Sequence, residues 1–221
     1  MKLIVNFLRR VELQMSTLQK ILDHKLVAII RGTTPEDTLK IVQSLYEGGI
    51  RVVEITMNSP KALSAIERVT DEFGKEMLIG AGTVLDPESA QSALLAGAQF
   101  ILSPTFNPDT IRITKRYGAV SIPAAFTPTE ILEAYERGGD IIKVFPATVL
   151  GPEFIKDMRG PLPQIPLLPT GGVSLDNIKE YLTAGAAGLG IGSSLVNTIQ
   201  EITEEYLLQL TEKAKKFTLA V

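Results

Sequence analysis

The chain has 221 residues, 45% of them apolar and 21% charged, with 22 basic against 25 acidic side chains and a net charge of −3. That is material for one sizeable core and a single domain, and the scattered lysines and arginines leave no basic footprint for nucleic acid. The absence of cysteine excludes disulfides, thiol catalysis and thiolate metal sites, and one histidine, His24, argues against histidine triads and multi-histidine metal centres.

Residues 1–10 hold an apolar centre too short for a secretory core, with arginines after it and no small-residue cleavage site following, so no signal peptide is expected. No run of about 18 apolar residues could span a bilayer. A soluble cytoplasmic protein without a membrane partner is the expectation. Ile4, Leu8, Val11, Met15, Leu18 and Leu22 recur at alternating four- and three-residue steps, one stripe of a helix. Residues 1–25 therefore read as an N-terminal helical extension that docks on the body or on a neighbouring subunit, with His24 at the surface. Met15 could instead be the natural start, which would make residues 1–14 an upstream extension.

From residue 26 onward short apolar runs alternate with amphipathic stretches. The strand candidates are Leu26–Arg31, Arg51–Thr56, Met77–Thr83, Phe100–Ser103, Ala119–Ile122, Ile141–Phe145, Leu167–Thr170 and Gly188–Gly190. Helices are expected to open at Thr34-Pro35-Glu36, Ser59-Pro60, Asp86-Pro87-Glu88, Asn107-Pro108-Asp109, Thr127-Pro128-Thr129-Glu130 and Gly151-Pro152-Glu153, where a cap precedes proline at the first helical position. Several end in glycine, as at Gly48, Gly97, Gly118 and Gly138. Eight strand-then-helix units favour an α/β fold of the (β/α)8 TIM-barrel type over residues 26–221, a single domain carrying an extra N-terminal helix. A doubly wound open sheet is the runner-up, but no dinucleotide fingerprint opens its first helix.

In such a barrel the chemistry sits where strands end, and alternation tells which side chains face inward. Val52, Glu54 and Thr56 share one parity, as do Ile141, Lys143 and Phe145; the same count groups Val27, Ile29 and Arg31, and Ile79, Ala81 and Thr83. Lys143 lies in the apolar run Asp140-Ile141-Ile142-Lys143-Val144-Phe145-Pro146, where only Asp140 offers a counter-charge. Burial depresses a lysine pKa toward a neutral amine, and a neutral amine attacks carbonyls to form a Schiff base. Glu54, flanked by Val52, Val53 and Ile55, is the matching proton shuttle, its pKa raised by burial. The competing reading is a purely structural Glu54–Lys143 ion pair, which stabilises less than apolar packing would. Pro169-Thr170-Gly171-Gly172 and Gly190-Ile191-Gly192-Ser193-Ser194 close the seventh and eighth strands, where barrels hold phosphate.

These segments, with Val27-Ala28-Ile29-Ile30-Arg31, Val53-Glu54-Ile55-Thr56, Ile79-Gly80-Ala81-Gly82-Thr83-Val84, Ser103-Pro104 and Lys143-Val144-Phe145-Pro146, resemble the bacterial 2-keto-3-deoxy-6-phosphogluconate / 4-hydroxy-2-oxoglutarate (KDPG/KHG) aldolase family. The resemblance runs from Leu18 to Val196 and implies a class I aldolase, independent of metal and cofactor, that is usually a homotrimer. It implies Lys143 as the Schiff-base lysine and Glu54 as the general acid/base. Arg31, Thr83 and Pro104 would surround the keto acid, and Thr170, Gly171, Gly172 and Ser193 the phosphate. The implied reaction cleaves 2-keto-3-deoxy-6-phosphogluconate to pyruvate and glyceraldehyde 3-phosphate, with 4-hydroxy-2-oxoglutarate as a further substrate. Two positions depart from the common pattern: Asn58 stands where many members have arginine, and Ala124 where Pro-Gly is common after Ile122-Pro123. Asn58-Ser59-Pro60 instead resembles the 2-keto-3-deoxy-6-phosphogalactonate aldolases, which makes the galactonate-series substrate the chief rival. A phosphosugar epimerase or isomerase, a divalent-metal aldolase, and a phosphosugar-binding barrel without aldolase activity are compatible with the same barrel and glycine turns.

Overall fold

The computed structural model describes residues 17–221. Helix α1 (residues 17–24) opens it, and the expected stripe residues Ile4, Leu8, Val11 and Met15 lie outside the described residues. There follow β1 (Leu26–Ile30), α2 (Pro35–Glu47), β2 (Val52–Thr56), α3 (Ala62–Phe73), β3 (Leu78–Gly82), α4 (Pro87–Leu95), β4 (Phe100–Leu102), α5 (Pro108–Arg116), β5 (Val120–Ile122) and β6 (Ala124–Ala125). The chain continues through α6 (Pro128–Glu136), β7 (Ile142–Val144), α7 (Ala147–Arg159), β8 (Leu167–Pro169), α8 (Ile178–Thr183), β9 (Leu189–Ile191) and α9 (Glu204–Thr218).

Every strand pairing is parallel, giving a six-stranded sheet in the order β5-β4-β3-β2-β1-β9 and a three-stranded sheet β6-β7-β8. Among the described residues nine strand segments stand where eight are expected because Pro123, which has no N–H to give a ladder, separates β5 from β6. Its carbonyl still accepts from Lys143 N at 2.9 Å, and a bridge between Thr170 and Gly190 joins β8 to β9.

The helices start where cap chemistry directs. Thr34, Asp86 and Asn107 each accept from a first-turn N–H with proline next, and Thr127 with Glu130 forms a reciprocal capping box. Two starts differ. Ser59-Pro60 forms a turn ahead of α3, its serine hydroxyl engaged by Thr56 Oγ1 and Gly32 N, and Lys61, at φ +50° and without a side-chain capping bond, stands at the N-cap position instead. Gly151-Pro152 lies within α7, where Gly151 at φ +69° breaks the helical path before proline restarts it.

Two apolar layers result. Ala28, Ile30, Val53, Ile55, Ile79, Ala81, Ile142 and Val144 face the surrounding helices. Val27, Val52, Leu78, Phe100, Val120, Ile141 and Leu168 form the inner layer near the amino ends of the strands, and Ile21, Leu18 and Leu22 of α1 pack on it. The third strand corrects the parity grouping: Ile79 and Ala81 face helices, while Gly80 and Gly82 alternate with them on the inner side. The reason is steric. A Cβ on Gly80 would fall 2.2 Å from the Phe100 ring, and one on Gly82 1.5 Å from Glu54 Oε1.

Candidate active site

Glu54 and Lys143 stand on the inner face, above the apolar plug that closes the amino ends of the strands. β2 fixes Glu54 between Ile29 of β1 and Gly80 of β3, and β7 fixes Lys143 between Ala124 and Leu168. Glu54 is 1% exposed and Lys143 4%. Neither carboxylate oxygen of Glu54 accepts a hydrogen bond among the described residues, from Lys143 or from any other donor, so the structural ion pair does not form. The Lys143 Nζ lies 4.8 Å from the centre of the Phe145 ring.

Burial pushes the Glu54 carboxyl above its ordinary range, against the pull of Lys143 and Arg31. Burial likewise pushes the Lys143 amine down; Glu54 opposes that shift and Arg31 adds to it. The pair thus tends toward a neutral amine beside a protonatable carboxyl, the states needed for carbonyl addition and for proton transfer.

Arg31 leaves the end of β1 and donates to Thr83 Oγ1 at 3.3 Å and to Asn58 Oδ1 at 3.4 Å. Thr83 follows Gly82 with φ +56°, a left-handed conformation that a β-branched residue rarely adopts. Simple alternation sends Thr83 to the helix side with Ile79 and Ala81; the backbone reversal brings its hydroxyl to Arg31. Thr198 holds Arg31 from the other side, donating to its carbonyl at 2.6 Å.

A cavity of about 410 Å3 opens beside this floor. Arg31, Thr170, Gly171, Gly172 and Ser193 of the predicted set line it, together with Phe145, Ser194, Asn197, Thr198 and Ile199. Gly171 and Gly172 have φ +94° and +75°, so the backbone itself turns to form that wall. Thr83 joins the group through Arg31, and Lys143 through Phe145. Pro104, half-buried after β4, is not in the cavity wall. Phe145 and Thr198 are contributors to which sequence reasoning assigns no place in the site, whereas Asn58, singled out there as a departure from the family pattern, stands beside Arg31. Phe145 could have been found, since it shares parity with Lys143; Thr198 could not, because no periodic pattern ties it to Arg31.

Glu54 and Lys143 do not themselves line the cavity; an α/β enzyme on parallel strands, with a buried amine–carboxyl pair whose lysine adjoins a glycine-walled cavity through Phe145, is the class these features define. Residues 18–211 match the family model described as KDPG and KHG aldolase, and the chain belongs to that family: it is an aldolase, a carbon–carbon lyase. It is 38% identical over 178 residues to the 2-dehydro-3-deoxy-6-phosphogalactonate aldolase of Escherichia coli (strain K12), covering 80% of this chain and 87% of that one. A solved native KDPGal structure superposes with a TM-score of 0.82 at 36% identity, over 88% of this chain and 93% of that one. The KDPG aldolase of Legionella pneumophila, solved with pyruvate captured as a covalent carbinolamine, gives 0.80 at 31% identity, over 87% and 93%.

Proposed function

We propose that the chain is a class I aldolase that cleaves a 2-keto-3-deoxy-6-phospho sugar acid through a Schiff base on Lys143. The observation that carries this reading is the buried Glu54–Lys143 pair with no closed ion pair between its members. Lys143 in neutral form adds to the C2 ketone, and loss of water from the carbinolamine leaves an iminium. Glu54 takes the proton of the C4 hydroxyl as the C3–C4 bond breaks, and the bonding electrons pass to the iminium nitrogen to give an enamine. Glyceraldehyde 3-phosphate departs, Glu54 returns its proton to C3, and water releases pyruvate and restores the amine. Arg31 and Thr83 hold the keto-acid carboxylate, with Pro104 beside it; Thr170, Gly171, Gly172 and Ser193 hold the phosphate. The relative with pyruvate bound as a carbinolamine supports the covalent route.

We read the two sheets as one (β/α)8 barrel over residues 26–221, capped by helix α1; the rest of the expected extension over residues 1–25 lies outside the described residues. The support is the chain running from β5 to β6 through Pro123 and the Thr170–Gly190 bridge. A homotrimer is proposed from the resemblance. Between substrate epimers, Asn58 beside Arg31 and the 38% identity to a galactonate-series enzyme favour 2-keto-3-deoxy-6-phosphogalactonate over the gluconate epimer and over 4-hydroxy-2-oxoglutarate.

Borohydride reduction in the presence of pyruvate should fix a mass increment on Lys143; an unmodified Lys143 overturns the mechanism. A coupled pyruvate-release assay should give the higher kcat/KM with the galactonate-derived substrate, and a preference for the gluconate epimer reverses the substrate assignment.

A further inference from the structure

We infer that Asn177 and Ser194 are positioning residues that brace the glycine turn after β8 and so set the affinity for the phosphorylated end of the substrate. This rests on the aldolase reading above. The turn runs through Gly171 and Gly172, two consecutive residues at positive φ, in a backbone that glycine leaves free to sample many other states. Three successive residues of it are nevertheless tied down, and by only two side chains. Asn177 accepts from Ser174 N and donates to Gly172 O, both at 2.9 Å. Ser194 reaches across from the turn after β9 and donates to Val173 O at 2.5 Å.

The ties come from separate elements. Asn177 belongs to the entry of α8 and does not line the cavity; Ser194 lines it but commits its hydroxyl proton to the neighbouring turn. The Ser194 tie also joins the two glycine segments to each other, fixing the spacing between Gly171-Gly172 and Ser193. An anion held by backbone groups on two separate turns gains affinity when those turns are already at the bound spacing, because the ordering cost is met on folding and not on binding. The effect should therefore fall on recognition of the phosphate and leave the amine chemistry of Lys143 untouched.

The test compares the full-length wild type with Ser194→Ala, Asn177→Ala and Ser194→Thr. Losing one net hydrogen bond of ordering should raise KM for the phosphorylated sugar acid roughly threefold to tenfold, weaken competitive inhibition by inorganic phosphate by the same factor, and leave kcat within about twofold. The pyruvate concentration that half-saturates borohydride trapping of Lys143 should not move, since pyruvate carries no phosphate. Ser194→Thr, which keeps the hydroxyl, should restore the wild-type KM. Unchanged KM and phosphate inhibition in both alanine variants overturn the bracing role while leaving the aldolase reading intact. An equal rise for pyruvate and for the phosphorylated substrate also overturns it, marking a general structural role. A wild type that pyruvate and borohydride leave unmodified brings down the aldolase reading instead, and this inference with it.

Discussion

At Glu54 and Lys143 the protein buries two ionisable groups and leaves both carboxylate oxygens without a donor among the described residues, whereas the glycine turn after β8 has Gly172, Val173 and Ser174 each tied by a side chain. The floor stores reactivity as unmet electrostatic demand, and the rim achieves recognition by holding neutral backbone in place. The two regions must therefore fail differently. Removing a charge from the floor should abolish chemistry and stabilise the fold; loosening the rim should spare chemistry and weaken affinity.

The largest effect belongs to Lys143→Met. It should eliminate both turnover and borohydride-trappable pyruvate, while the melting temperature rises, because an apolar side chain of similar length replaces an amine whose burial is unfavourable. Retained turnover, read by pyruvate release, would break the comparison at its base.

Glu54→Gln comes next. Turnover should fall by about 10²- to 10⁴-fold, the usual worth of a general acid/base, with the pyruvate adduct still trappable. Glu54 is the group that raises the Lys143 pKa against burial, so its removal should shift the pH profile of adduct formation to lower pH. Stability has the opposite sign to activity. The folded-state pKa of Glu54 lies above 4.5, so the folded protein holds that proton more tightly than the unfolded chain does, and stability falls as pH rises from 4.5 through the raised value. The variant lacks that slope. Its melting temperature should exceed the wild type's above this window and converge on it below pH 4.5; a variant less stable at neutral pH would show that the carboxylate is satisfied after all.

Gly82→Ala sharpens the contrast without touching an ionisable residue. Its new Cβ would sit 1.5 Å from Glu54 Oε1, so the carboxyl must move. Overpacking of this kind costs roughly 1–3 kcal/mol, and turnover should drop at least tenfold with trapping at Lys143 preserved. Denaturant melts and the trapping assay separate the two effects, and wild-type turnover would remove Gly82 from the site.

The floor is largely legible in the sequence and the rim only in outline. A charged residue inside a β-branched run is conspicuous because so few reasons excuse it, and parity correctly pairs Glu54 with Val52 and Lys143 with Ile141. Alternation fails in the third strand, where it is counted on Ile79 and Ala81; glycine carries no side chain to mark its face, so the inner positions Gly80 and Gly82 leave no trace in the pattern. The glycine pairs announce an anion wall, but the ties from Asn177 and Ser194 join chain segments up to 21 residues apart through short polar side chains, which no periodicity records. The fold follows the same rule. Cap-and-proline starts place four helices because the signal is local, while the division of the strands into two sheets depends on what Pro123 does to a ladder that forms only in three dimensions.

Thr83 lies between floor and rim and should show the smallest and most divided response. Its left-handed backbone carries a penalty of roughly 1–2 kcal/mol for an L side chain. Glycine at this position would remove that penalty but lose roughly 0.5–1 kcal/mol to its freedom in the unfolded chain, leaving Thr83→Gly up to about 1.5 kcal/mol more stable in urea melts. The same change deletes the oxygen that accepts from Arg31 at 3.3 Å, so among the described residues the guanidinium keeps only Asn58 as a side-chain partner and its aim at a carboxylate loosens. The half-saturating pyruvate concentration in the trapping assay should rise a few-fold, with phosphate inhibition unchanged. A variant that gains stability and holds pyruvate as tightly as the wild type would mean that the strained turn serves the fold; gain on one axis with loss on the other is what a residue strained to aim Arg31 requires.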